Sequence, residues 1–153
     1  MTYRAEQTER GNEALQFLAD FLETKGGLFS VSMKETKYSM GVWGSPDLVF
    51  RDEGIEVKRV EFMARSRFNK GEEFRLHIGH VGLKHQFWND LKKWCEGNKK
   101  IPALVIVLTW GKHPPIFVKF SKDQVDEMQR QQIKNQWIHL SSWDALLQGE
   151  ILK

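Results

Sequence analysis

One stretch of this sequence narrows the fold before any other feature does. From Ile101 to Thr109 the chain runs Ile-Pro-Ala-Leu-Val-Ile-Val-Leu-Thr, apolar almost throughout with one early proline. Its length and its β-branched Ile and Val favour a buried central strand over a helix. A strand without polar alternation has no face for water, so other layers must cover it on both sides.

The flanking sequence supplies those layers. From about Thr8 to Thr24, Ala14, Leu15, Phe17, Leu18, Phe21 and Leu22 recur at helical spacing, and Lys25-Gly26-Gly27 gives a basic last turn and a glycine stop. A second helix is predicted from about Leu83 to Cys95 on Leu83, Phe87, Leu91, Trp94 and Cys95, ending at Glu96-Gly97-Asn98. Leu28 to Met33 alternates as a strand does, and Lys34 to Ser45 reads as a loop. Leu48-Val49-Phe50 and Ile55 to Val60 form a hairpin. Phe62 to Gly82 is charged, glycine-bearing and without sustained period, and reads as an arm or mobile loop. After Pro114-Pro115 a final strand spans Ile116 to Phe120, Ser121 caps a polar helix to about Gln132, and Ser142 caps a short one containing Trp143, Leu146 and Leu147. The order α-β-β-β-α-β-β-α predicts an α/β fold, a mixed sheet flanked by helices, in a single domain over residues 1–153.

Length and composition agree with one packed domain: 153 residues, 41% hydrophobic and 12% aromatic, exclude a mainly disordered chain. Lys plus Arg exceeds Asp plus Glu by 23 to 20, a net charge of +3 that permits a nucleic-acid partner. The lone Cys95 excludes an internal disulfide and a Cys-based zinc framework. Met1 to Arg10 is polar, and no apolar run approaches the roughly 18 residues of a membrane span. An intracellular, cytoplasmic protein is expected, with no membrane partner.

Chemistry concentrates in Ser45-Pro46-Asp47-Leu48-Val49-Phe50-Arg51-Asp52-Glu53-Gly54-Ile55-Glu56-Val57-Lys58-Arg59. Side chains of a strand alternate faces, so Glu56 and Lys58 point one way and Ile55 and Val57 the other. With an even number of turn residues, Asp47 lies opposite Glu56 or Lys58 and all three share a face; Arg51 to Gly54 as a four-residue loop is the simplest such turn. Two carboxylates converging in a half-buried site repel unless a cation intervenes. Oxygen ligands on a rigid hairpin suit Mg²⁺, with Mn²⁺ a substitute, and the Val57 carbonyl is a further ligand candidate. Lys58 beside a metal-bound water has three candidate tasks: orienting that water, helping to remove its proton, or stabilising charge on a phosphate under attack.

Pro46-Asp47, eight residues, then Glu56-Val57-Lys58, with a helix before and a helix and apolar strand after, resembles the PD-(D/E)XK nuclease superfamily. The resemblance covers most of the chain, and within the superfamily it is most similar to the archaeal-type Holliday junction resolvases also carried by viruses. It implies a restriction-endonuclease-like fold, Mg²⁺ held by Asp47 and Glu56, catalytic Lys58, a homodimer, and a branched DNA substrate such as a four-way junction. It also implies an acidic residue on the first helix, for which Glu13 is the better match and Glu9 the competitor. The sequence departs from the pattern in offering Lys34 only at the end of its first strand, and in having Arg59 where a small hydroxyl residue is common. Gln86 resembles the glutamine that follows the motif in several nuclease branches.

DNA contacts are expected from basic residues on either side of the motif: Lys34 and Lys37 before it, and Arg59, Arg65 and Arg67 after it, with Gln86. Trp43 either stacks on a base or packs. His77, His80 and His85 lack a paired acidic or Cys ligand at matching spacing, so zinc is not expected. A dimer contact is sought in the second helix or around Trp137 and Trp143.

Overall fold

A computed structural model describes residues 3–26, 28–31, 44–66, 74–78, 81–140 and 143–153. In chain order the elements are α1 (Tyr3–Glu23), β1 (Leu28–Val31), β2 (Leu48–Phe50), β3 (Glu53–Ser66), β4 (Phe74–Ile78), β5 (Gly82–Lys84), α2 (His85–Gly97), β6 (Ile101–Thr109), β7 (Ile116–Phe120), α3 (Lys122–Gln131), β8 (Trp137–His139), α4 (Trp143–Leu147) and β9 (Glu150–Ile151). Seven strands form one mixed sheet in the order β1-β2-β3-β6-β7-β9, with β4 paired to β3. The β3–β6 pair is parallel and the other pairs are antiparallel, while β5 and β8 form a separate ribbon.

Strand β6 is central and covered on both sides, which is why its sequence shows no polar alternation. Ala103, Val105 and Val107 join Leu48, Phe50, Ile55 and Phe117 beneath Ala14, Leu15, Leu18 and Leu22 of α1. The intervening Leu104, Ile106 and Leu108 join Val60, Val118 and Phe120 beneath Trp88, Leu91 and Cys95 of α2 and Val125 and Met128 of α3. The sheet therefore has an α1 face and an α2/α3 face.

Local signals end the helices where expected. Gly26 takes φ +72° after α1, and the Lys25 and Gly26 amides donate to the Leu22 and Glu23 carbonyls at 2.9 and 3.1 Å. Ser121 closes a capping box on α3: its hydroxyl accepts from the Gln124 amide, and the Gln124 side chain accepts from the Ser121 amide.

Four expectations are corrected. Part of Phe62 to Gly82 is strand: β3 continues to Ser66 and pairs with β4, Met63 opposite His77 and Arg65 opposite Arg75. Leu83 lies in β5, so α2 starts at His85. Ile116–Phe120 is not the final strand, because β8 and β9 follow, β9 pairing Ile151 with Val118. Finally, α1 begins at Tyr3, well before Thr8. Most of the Lys34 to Ser45 loop, and Ser142, lie outside the described residues. Among the described residues, no helix is long and apolar enough to cross a membrane.

Candidate active site

The hairpin register pairs Leu48 with Ile55, Val49 with Gly54 and Phe50 with Glu53. The turn is thus the two residues Arg51 and Asp52, not the four from Arg51 to Gly54, and its even parity holds. Arg51 takes φ +54°, a conformation that normally favours glycine, and its surroundings hold it there. Its guanidinium donates to the Lys25 carbonyl at 3.1 Å, Lys100 Nζ donates to the Arg51 carbonyl at 3.2 Å, and the Ile101 amide donates to the Asp52 carbonyl at 2.7 Å.

One step beyond Leu48, the same register sets Asp47 opposite Glu56. Leu48, Phe50 and Ile55 belong to the α1-side core and Val57 packs against it, so by alternation Asp47, Glu56 and Lys58 share the α2 face. Asp47 is a charged residue only 8% exposed, and its Oδ2 accepts from the Val57 amide at 2.9 Å. Lys58 Nζ lies 3.6 Å from Glu56 Oε1, both side chains half-buried. The N–H and C=O of one strand residue project to the same side, so the Val57 carbonyl opens toward Asp47, where the β2 ladder has ended. The register thus places two carboxylates, one carbonyl and one ammonium at neighbouring positions along this edge.

Helix α2 walls the site. At Gly44 (φ +84°) a Cβ would lie 2.9 Å from the Asp90 carbonyl oxygen, and at Gly54 one would lie 2.7 Å from Cys95 Sγ, so glycine at both positions lets the hairpin sit close against the helix. Gln86 Nε2 donates to Asp90 Oδ1 at 2.7 Å, which places the predicted Gln86 on the turn of α2 that adjoins the Gly44 loop. Burial pushes the Cys95 thiol up to about 11, against a Gly54 backbone hydrogen bond that lowers it. Cys95 is a packing residue between α2 and the hairpin.

Other predicted residues go elsewhere. The alternation that groups Glu56 with Lys58 sends Arg59 to the α1 face. There its guanidinium meets Glu13 Oε2 at 3.3 Å, the Arg10 carbonyl at 3.2 Å and Thr109 Oγ1 at 3.2 Å. Glu13 is therefore paired with Arg59 and not brought to Asp47 and Glu56, and Arg59 is a tie between α1 and the sheet, not a cation beside the site. Glu9 is exposed on α1. Arg65 sits in β3 opposite Arg75, and its side chain is not described; Lys34, Lys37, Arg67, Trp43 and His80 lie outside the described residues. His85 turns Nε2 toward the Gln132 and Asn135 carbonyls at 3.2 and 2.9 Å, which ties the start of α2 to the segment after α3.

The donor set tests the implied metal. Two carboxylates and a backbone carbonyl are hard oxygen donors of the kind Mg²⁺ and Mn²⁺ take, so Asp47, Glu56 and Val57 fit. No group of three His, Cys, Asp or Glu side chains suited to a metal occurs among the described residues, and an ion held by Asp47, Glu56 and Val57 would need further oxygen ligands from water or substrate. Comparison with protein-family models finds no match, and comparisons with curated proteins and with solved structures find none.

Proposed function

We propose that this chain is an Mg²⁺-dependent endonuclease on a restriction-endonuclease-like fold, acting inside the cell on branched DNA, most specifically by paired nicks in four-way junctions as a homodimer. The observation that carries the proposal is the 2.9 Å bond from the Val57 amide to Asp47 Oδ2, because it ties the first acidic residue to the Glu56-Val57-Lys58 strand at the edge where the Val57 carbonyl opens.

Asp47, Glu56 and the Val57 carbonyl would hold the ion, which when bound polarises a phosphate and lowers the pKa of its water. The Val57 amide fixes Asp47 in one orientation, so little reorganisation accompanies binding. Lys58 Nζ, kept near Glu56, donates hydrogen bonds to the attacking water or to a phosphate oxygen as negative charge builds there. Gln86, carried by the same face of α2 as Asp90, offers a carboxamide to the strand backbone.

The test is nicking of an immobile four-way junction in Mg²⁺ and in EDTA, beside a linear duplex of the same sequence. Cleavage of the junction alone, lost in Asp47→Asn and Glu56→Gln but with junction binding retained, is the expected result. Equal cleavage of both DNAs would replace junction resolution with a restriction-like, flap or mismatch activity. Full activity in either variant would remove the assigned site, and binding without cleavage by the wild type would leave a DNA-binding module.

A further inference from the structure

A lysine lies between two aromatic rings where β5 meets α2. Lys84, the last residue of β5, holds Nζ 4.9 Å from the centroid of the Trp137 ring across the β5–β8 ribbon and 5.4 Å from that of Phe87, in the first turn of α2. Glycine permits this arrangement. At Gly82 a Cβ would lie 3.2 Å from Trp137 Cε3, so a strand without a side chain there lets the indole lie against β5 and hold the lysine in place. None of the ion pairs among the described residues takes Lys84. Phe87 is 38% exposed. An open ring with a fixed ammonium beside it suits a ligand that presents both a flat π-face and a negative charge, as a nucleotide does.

The fold brings this group to the candidate cation site. On α2, Trp88, Leu91 and Cys95 face the core, while His85, Asn89 and Lys92 hydrogen-bond to α3 and the segment after it. Phe87 belongs to the opposite flank, on one stripe with Asp90, the residue that meets the Gly44 loop leading to Asp47. Its level along the strand follows from the packing. Cys95 meets Gly54 at the start of β3, and from Cys95 back to Phe87 the helix rises about 12 Å. That is the length of roughly three or four strand residues, which sets Phe87 level with Val57 and Lys58.

We infer, on the nuclease reading of that site, that Phe87 and Lys84 form a platform for an unpaired nucleotide next to the phosphate under attack. The base stacks on Phe87, Lys84 holds a phosphate of the same strand, and Trp137 positions Lys84. In a continuous duplex each base is already stacked between its neighbours, so the ring is of use only where the helix is interrupted. The substrate class is therefore narrowed to branches that carry unpaired nucleotides.

The test is fluorescence anisotropy of the full chain in EDTA, where binding is read without cleavage, on a labelled duplex and on a fork made of the same duplex with two unpaired arms. The wild type is expected to prefer the fork. Phe87→Leu, which keeps an apolar side chain and removes the π-face, should weaken fork binding about 10-fold and leave duplex binding unchanged, and Phe87→Trp should retain the preference. Lys84→Gln should reduce the salt slope of fork binding by about one. Trp110→Leu, at an aromatic 43% exposed between β6 and β7, should change neither, and circular dichroism checks that each variant is folded. Equal binding of fork and duplex by the wild type, fork binding by Phe87→Leu as tight as the wild type's, an unchanged salt slope in Lys84→Gln, or an equal loss in Trp110→Leu would overturn the platform and leave the cation site to its own cleavage assay. A fork preference that depends on Phe87 in a protein that cleaves no DNA in Mg²⁺ would support the platform and remove the nuclease reading instead.

Discussion

At the scale of single residues, Asp47 has two separable jobs. Its carboxylate satisfies the Val57 amide at a buried position, and it is the proposed metal ligand. Asp47→Asn keeps an acceptor for that amide, so urea denaturation should show little loss of stability while Mg²⁺-dependent cleavage falls roughly 10²–10⁴-fold. Asp47→Ala leaves the amide unpaired and should in addition cost about 1–3 kcal/mol in the same denaturation experiment. Glu13→Gln separates the observed geometry from the family pattern: with Glu13 paired to Arg59 on the α1 face, the variant should cleave as the wild type does. A cleavage defect as deep as that of Glu56→Gln would return Glu13 to the site. The Cys95 thiol, buried and pushed up to about 11, should react with a thiol reagent at pH 8 only after denaturant is added.

At the scale of elements, the site depends on how closely the hairpin approaches α2. Gly54→Ala would drive a methyl group against Cys95 Sγ and should cost about 1–3 kcal/mol; Cys95→Ala in the same chain should recover most of that loss, a coupling readable from a double-mutant cycle of urea midpoints. This part of the molecule was legible in the sequence to the extent that local pattern decides it. The β6 run, the parity of Asp47 with Glu56 and Lys58, the glycine after α1 and the Ser121 cap each follow from short-range rules. The exact turn did not, because Arg51 adopts a glycine-type conformation only under constraint from Lys25, Lys100 and Ile101, all distant in sequence or fixed by the fold. The alternation of Phe74-Arg75-Leu76-His77-Ile78 carried the signal for β4, but charge and glycine around it masked the period. Arg59 was open to the same alternation argument as Lys58, and its position next to the motif suggested the opposite role. β8 and β9 are three and two residues long, too short to show a period of their own.

At the scale of the whole molecule, stability against acid rests in part on the clamp between α2 and α3. Burial raises the Asp126 carboxyl, but hydrogen bonds from Lys122, Trp88 and Lys92 outweigh it and bring the pKa down to about 2. A carboxyl whose folded pKa lies below its unfolded value stabilises the fold above roughly pH 4 and loses that contribution as pH falls toward 2. The wild type should therefore exceed Asp126→Asn by about 1–2 kcal/mol at pH 7, and the gap should close between roughly pH 4 and pH 2 in denaturant titrations. The central proposal, that Asp47, Glu56 and the Val57 carbonyl of the β2–β3 hairpin hold a cation, can be tested without any DNA by electron paramagnetic resonance of Mn²⁺ added to the folded protein. A protein-bound Mn²⁺ signal is expected in the wild type, displaced by Mg²⁺ and lost in Asp47→Asn and in Glu56→Gln. A wild type that binds no Mn²⁺, or variants that bind it as the wild type does, would show that Asp47 and Glu56 hold no cation.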